Sequence, residues 1–316
     1  MSRRKSVARK VLRPFLPAAL ILGLVVLTVG TWLVYGITRP PRAPYLVTPK
    51  TFEKDTGMSL SKATDAKWKN HDGTEARGWV ITGADEAPAV ILLHGYGADR
   101  SWLLNMAVKL NETTNFTVLW PDLRGHGENP PVNSTSFGAQ EGDDVTAAID
   151  YLRTLKSPTG KPQIGQHVGI YGVGLGAYVA LDAANRYADI RALALDSVPA
   201  SPDDVVRAAT ITRTGLSSSA FQRLAHVGVR IYGLGRFPSK TSCDLAQTLR
   251  DVHVLLLTGV QDQWQQSTLD LARCLKTPPE IKKGLNISGV VLPFTTGEQE
   301  ETYDRPVIEF FGKSLQ

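Results

Sequence analysis

The sequence predicts an α/β fold, a mostly parallel sheet covered by helices on both faces. Short, nearly unbroken apolar runs alternate with stretches that carry apolar residues at helical spacing. Strands that are apolar at every position are buried on both faces, which is the mark of a parallel sheet between helical layers. Three of the runs also pass directly into glycine-rich turns.

Ahead of this alternation lies a different kind of segment. Residues 1–14 hold Arg3, Arg4, Lys5, Arg9, Lys10 and Arg13 and no acid, and no charge interrupts residues 15–38. That apolar run is long enough to span a bilayer core, which takes about 20 residues. Trp32 and Tyr35 stand near its outer end, where amphipathic rings favour the interface. We expect a basic cytoplasmic tail over 1–14 and a single transmembrane anchor over 15–38. The domain beyond it is then extracytoplasmic, by the positive-inside rule. A cleaved signal peptide is the rival, but its apolar core is typically about 7–15 residues. A run apolar on every side is also unsuited to the surface of a soluble domain.

The net charge of +5 belongs to this segment. Eight of the 35 basic residues lie within 1–42, leaving 27 against 30 acidic residues in the remainder, a net of −3. A nucleic-acid partner is thereby excluded, since it would need a basic stripe on the folded domain. Residues 39–50 are proline-rich and read as a stiff linker. Residues 51–316 are enough for one large domain.

Within that domain, Gly78–Thr82, Ala87–Leu93, Phe116–Trp120 and His167–Tyr171 read as strands. Ile190–Leu195, Val252–Leu257 and Ile287–Leu292 read as three more. Helices are expected over Ser101–Leu110, Gln140–Leu155, Leu175–Arg186, Leu269–Leu275 and a closing segment at Arg305–Phe311. In the second of these, Val145, Ala148, Ile149 and Leu152 fall on one face. About 197–250 breaks the alternation and reads as a helical insertion. Cys243 and Cys274 could pair in an oxidising compartment or remain buried thiols. Asn111, Asn115, Asn133 and Asn286 open N-x-Ser/Thr patterns, which matter only in a host that glycosylates secreted proteins.

The chemistry-bearing motifs sit at three strand ends. The first strand runs into His94-Gly95-Tyr96-Gly97, the second into Asp122-Leu123-Arg124-Gly125-His126-Gly127, and the third into Gly172-Val173-Gly174-Leu175-Gly176. In this order they resemble the α/β-hydrolase superfamily, in the branch of serine aminopeptidases and monoacylglycerol-lipase-like enzymes, over about residues 67–313. The resemblance implies an α/β-hydrolase fold with a short helical lid over about 197–250. It implies an oxyanion hole from the backbone N–H groups of Tyr96 and Leu175.

The nucleophile elbow of that family is G-x-S-x-G, and here Gly174 stands at the serine position. Glycine has no oxygen to attack a carbonyl. The resemblance places the triad acid at Asp262, in Gly259-Val260-Gln261-Asp262, where a helix cap is the competing reading. The triad histidine belongs near Thr295–Thr302, which reads TTGEQEET; the last histidine in the chain is His253. In the family, His94, Asp122 and His126 serve loop structure. Ser101 and Ser217–Ser219 have no base assigned to them. No metal-ligand pattern, phosphate loop or dinucleotide fingerprint is present, so no cofactor is expected.

Two functions follow. One is a membrane-anchored, noncatalytic member that binds a small-molecule or protein ligand. The other is an atypical esterase- or peptidase-like hydrolase, with water activated by Asp262 or by an acid within Glu298–Glu301.

Overall fold

The computed structural model describes residues 16–56, 63–285 and 298–316. The apolar run forms helix α1, Leu16–Thr38, and a short helix α2, Pro49–Thr56, closes the proline-rich segment. The domain then runs β1 (Ala63–Lys69), β2 (Glu75–Ile81), β3 (Ala87–Leu93), a single turn at Arg100–Leu103, α3 (Leu104–Thr114) and β4 (Thr117–Pro121). It continues with α4 (Glu141–Thr154), β5 (Ile164–Val173), α5 (Leu175–Ala184) and β6 (Ile190–Asp196). Three helices follow β6: α6 (Pro202–Thr214), α7 (Ser219–Tyr232) and α8 (Ser242–Thr248). The chain closes with β7 (His253–Gly259), α9 (Gln265–Leu271), β8 (Glu280–Leu285) and α10 (Glu298–Ser314).

The eight strands form one sheet in the order β1-β2-β4-β3-β5-β6-β7-β8. β2 is antiparallel to both β1 and β4, and every other pairing is parallel. β3 to β7 are apolar on both faces because two layers of core cover them. One centres on Ile91, Leu119, Ile170 and Leu193 against α4 and α5, the other on Val90, Leu92, Trp120 and Tyr171 against α3 and α10. Parallel strands send all their carboxyl ends to one edge, so the three motifs meet there.

The edges of the sheet depart from the apolar-run reading. β1 alternates buried and exposed positions, and β8 (EIKKGL) is exposed over most of its length. The strand anticipated at Ile287–Leu292 and the first part of the Thr295–Thr302 loop lie outside the described residues. The helix anticipated at Leu269–Leu275 begins earlier, at Gln265.

The insertion helices are well terminated. Ser201 and Asp204 form a capping box ahead of α6 with Pro202 at its first position, and Thr241 and Asp244 do the same for α8. Cys243 and Cys274 are joined, tying α8 to the segment after α9.

The last two turns of α1 are part of the domain. Leu33 and Ile37 are wholly buried, and α1 packs on α6 and α7. Beyond it the chain is held to the domain surface: Thr135 N–H donates to the Thr38 carbonyl at 2.9 Å, Arg42 to Asn133 at 2.8 Å, and the Tyr45 hydroxyl to Asp122 at 2.7 Å.

Candidate functional site

Gly174 forms the sharp turn from β5 into α5, with φ +55° and ψ −114°. A positive φ of this kind strains any side-chain-bearing residue. Its N–H donates to the Asp196 carbonyl at 2.9 Å, which pins the turn to the end of β6. The flanking glycines allow close approach: a Cβ at Gly176 would lie 2.4 Å from the Leu93 carbonyl oxygen. Leu175, wholly buried, opens α5.

Tyr96 and Gly174 line one cavity of about 200 Å³ with Trp102, Val205, Thr212 and Trp264. Trp264 is the feature that sequence reasoning missed. A Cβ built on Gly174 would lie 2.9 Å from Cζ3 of the Trp264 ring. The indole therefore stands where a nucleophile's side chain would project. It also lines a second, larger groove of about 610 Å³ that includes Ile211, Ser267 and the Cys243–Cys274 bridge. Nothing in the local sequence announces Trp264, because its contact with Gly174 is made across the fold.

Asp262 follows β7, and its two carboxylate oxygens are engaged nearby. Oδ1 accepts the Trp264 N–H at 2.9 Å and Oδ2 the Thr258 hydroxyl at 3.0 Å. This is the bonding of an Asx turn leading into a helix. The N-cap of α9 is Trp264, with no side-chain cap bond, so Asp262 does not cap the helix itself but holds the turn that leads into it.

His94 and His126 are locked in their loops. His94 Nδ1 donates to the Gly95 carbonyl at 2.8 Å and Nε2 accepts the Leu123 N–H at 3.0 Å. Burial pushes its pKa down to about 4. His126 Nδ1 donates to the Arg124 carbonyl at 2.8 Å. Burial and the neighbouring His94 push its pKa down to about 3. His126 lines a different cavity, of about 160 Å³, beside Asp122 and Arg124. Asp122 accepts from Tyr45 and from the Arg100 N–H at 2.9 Å.

The Tyr96 side chain stacks on Phe137 at 5.8 Å and donates its hydroxyl to the Ile37 carbonyl at 2.7 Å. A residue of the His-Gly-x-Gly motif thus touches the end of α1. Burial raises the Tyr96 pKa. Beneath the elbow, the Tyr303 hydroxyl donates to the fully buried Asp196 carboxylate, and Ser197 donates to the other oxygen at 2.7 Å. Tyr171 adds its hydroxyl to Tyr303. Burial raises the pKa of both tyrosines well above the ordinary value, so both hydroxyls stay protonated and hold α10 to the sheet. Among the described residues, no group of three or more His, Cys, Asp or Glu side chains is placed to hold a metal ion. The acids at 298–301 have no described side chains.

Strand order, three motifs at one sheet edge and a strand–turn–helix elbow define an α/β-hydrolase fold. The chain belongs to the alpha/beta hydrolase family, whose model matches residues 90–311. It is similar to the polyketide transferase ATR5 of Stachybotrys chlorohalonatus, 27% identical over 161 residues, covering 49% of this chain and 52% of that protein. It is also similar to the thiohydrolase aneE of Aspergillus aculeatus, 27% identical over 114 residues, 36% of this chain and 34% of that one. The chain thus spans about half the length of one of these relatives and a third of the other. Among solved structures, the esterase Pf2001 of Pyrococcus furiosus aligns at TM-score 0.65 and 20% identity, covering 89% of this chain and all of that one. The alpha/beta hydrolase GrgF of Penicillium sp. sh18 aligns at 0.60 and 17%, covering 80% and 99%. At such identities these structures show the fold alone.

Proposed function

We propose that this chain is a noncatalytic member of the family, held on a membrane by α1 with its domain outside the cytoplasm, and that its elbow cavity receives a ligand or partner. The observation that carries this reading is the Trp264 ring packed where a Gly174 side chain would be. An indole this close to Gly174 leaves little room for a serine side chain at the elbow. Asp262, spent on Thr258 and the Trp264 N–H, supports the same conclusion. The basic residues ahead of α1 favour a cytoplasmic tail, and the Cys243–Cys274 bridge suits an oxidising compartment. The backbone N–H groups of Tyr96 and Leu175 remain the candidate oxyanion donors and would orient a carbonyl or carboxylate oxygen of the ligand.

A second reading rests on the relatives, whose names describe a transferase and a thiohydrolase. In it the domain retains hydrolysis through a rearranged site. The two readings separate on one assay. Purified full-length protein should neither take up a fluorophosphonate probe nor hydrolyse p-nitrophenyl or thioester substrates above background. Turnover that Asp262→Ala abolishes would establish the second reading.

A further inference from the structure

In the structure the end of α1 is docked on the domain. Two glycines bring it close to α7: a Cβ at Gly30 would lie 3.3 Å from Leu224 Cδ1, and one at Gly228 would lie 2.3 Å from Val34 Cγ2. The Arg213 guanidinium, at the end of α6, lies 4.6 Å from the Trp32 ring centroid. The pairs 30/224 and 34/228 run in the same direction, so α7 is parallel to α1. Ser219, the first residue of α7, precedes Leu224 by five positions and stands level with about residue 25 of α1.

The same helix carries the charge-free stretch, which Arg13 and Arg39 bound. A bilayer core takes about 20 apolar residues, and every run of that length between the two arginines ends at Leu33 or beyond. If α1 crossed while docked, Ser219 would lie at least eight residues, about 12 Å, inside the hydrocarbon boundary. The exposed Arg223 would lie about 6 Å inside it. Residues 215–218, which join α6 to α7, form neither helix nor strand, and 215–217 are exposed. Irregular backbone does not face lipid at such depth, because its N–H and C=O groups find no partner there. A charge at that depth is costly as well. Nor does the free part of α1 suffice. Burial begins at Gly30, and residues 14–29 reach about 24 Å against a core of about 30 Å.

Docking also reaches the elbow cavity. The Ile37 carbonyl accepts the Tyr96 hydroxyl at 2.7 Å, and the Thr38 carbonyl accepts the Thr135 N–H at 2.9 Å. Tyr96 lines the cavity, as do Val205 and Thr212 of α6, a helix on which α1 packs. Residues 39–41 (Arg-Pro-Pro) then join α1 to the segment that Arg42 and Tyr45 hold to the domain. They supply a hinge between the two.

We propose that docking on α6 and α7 and crossing a bilayer are alternative states of α1, and that crossing withdraws Leu33, Val34 and Ile37 from the domain and releases Tyr96. The inference rests on the anchor reading and makes α1 a regulator of the elbow cavity. The aliphatic side chains that leave the domain stay out of water inside the bilayer, so the exchange costs the helix little. The groove between α6 and α7 opens, and with it the support behind Tyr96.

The native cysteines are bridged, so introduced cysteines are the reactive thiols. A Cβ at Gly228 would lie 3.8 Å from Val34 Cβ, within the roughly 3.5–4.5 Å of a disulfide. Full-length Val34→Cys, Gly228→Cys is treated with iodine in mild detergent and in phosphatidylcholine vesicles, and the thiols that remain are counted by maleimide mass shift. Val26→Cys, Val227→Cys, at two exposed positions, carries spin labels for the same comparison without a change in the packed groove. The expected result is near-complete bridging in detergent and a several-fold lower yield in vesicles. The spin–spin distances, narrow in detergent, should become longer and broader in vesicles. Equal yields and distances in the two, in protein that resists carbonate extraction, would show a docked helix that crosses and would overturn the alternation alone. Release of the protein by carbonate would overturn the anchor reading and the alternation with it. An unbridged pair and broad distances already in detergent would show that α1 does not dock, and would also overturn it.

Discussion

At the scale of single residues, the candidate site is an elbow with a sharp strand-to-helix turn and a glycine at the serine position. Gly174→Ser restores a hydroxyl at φ +55°, in space that Trp264 already fills. A strained non-glycine residue costs on the order of 1–3 kcal/mol, and the Trp264 contact adds to it. We expect urea denaturation to show a loss in that range and ester hydrolysis to stay at background, since no histidine lies beyond His253 to take the position near Thr295–Thr302. In a double-mutant cycle with Trp264→Ala, the serine should cost less than it does alone, because the clash is removed. Gly174 and Asp262 were readable in the sequence because their motifs are local spacings. Trp264 was not, because its role depends on how the β7–α9 loop packs on an elbow ninety positions earlier in the chain.

The two buried histidines give a pH dependence with a definite sign. His126 has a folded pKa of about 3, far below the ordinary 6.5, because burial disfavours the cation. Above pH 6.5 the ring is neutral in both states and contributes nothing to pH dependence. As pH falls below 6.5 the unfolded chain binds a proton that the folded chain does not, so stability falls until the folded pKa is reached. The slope is about 1.4 kcal/mol per pH unit for one ring. His126→Phe removes this term. We expect the stability difference between wild type and variant, measured by urea melts, to shift in favour of the variant between pH 6.5 and 5. A pH-independent difference would mean that His126 is solvated or charged in the folded protein.

At the scale of elements, the sequence revealed the middle of the sheet and blurred its rims. β3 to β7 are found by their apolar runs because both faces are covered. β1 and β8 lack such runs because each has one neighbour and faces solvent. Strand order was not readable from those runs either, since it depends on crossovers and not on composition. The pairing of Cys243 with Cys274 could likewise only be left open, as two cysteines 31 positions apart fit either state. The bridge closes a loop containing β7 and α9, the elements that carry Asp262 and Trp264. For a loop of this length the chain-entropy account gives roughly 3–4 kcal/mol. We expect the Cys243→Ser, Cys274→Ser double variant to lose up to about that much in chemical denaturation. Loss of the same size on adding reductant to the wild type would assign the effect to the bond rather than to the serines.

At the scale of the whole molecule, the apolar helix α1 and the domain are not separable at the boundary that composition suggests. A cut after residue 42, at the end of the basic, acid-free segment, looks natural in the sequence. The structure argues for a cut some fourteen residues earlier. Leu16–Thr28 is exposed along its whole length, whereas Leu33, Val34 and Ile37 are buried against α6 and α7, and the Ile37 carbonyl accepts from Tyr96. Full burial of one such aliphatic side chain is worth about 1.5–3 kcal/mol, offset in part by the cost of ordering the chain. A chain lacking residues 1–42 would lose these contacts and expose the groove between α6 and α7. A chain lacking residues 1–28 would shed only the exposed part of the helix. We therefore expect both truncated chains to leave the membrane fraction, the shorter deletion to unfold at the higher temperature, and the longer one to bind more of an apolar dye such as ANS. Equal melting temperatures for the two would show that the end of α1 contributes nothing to the domain.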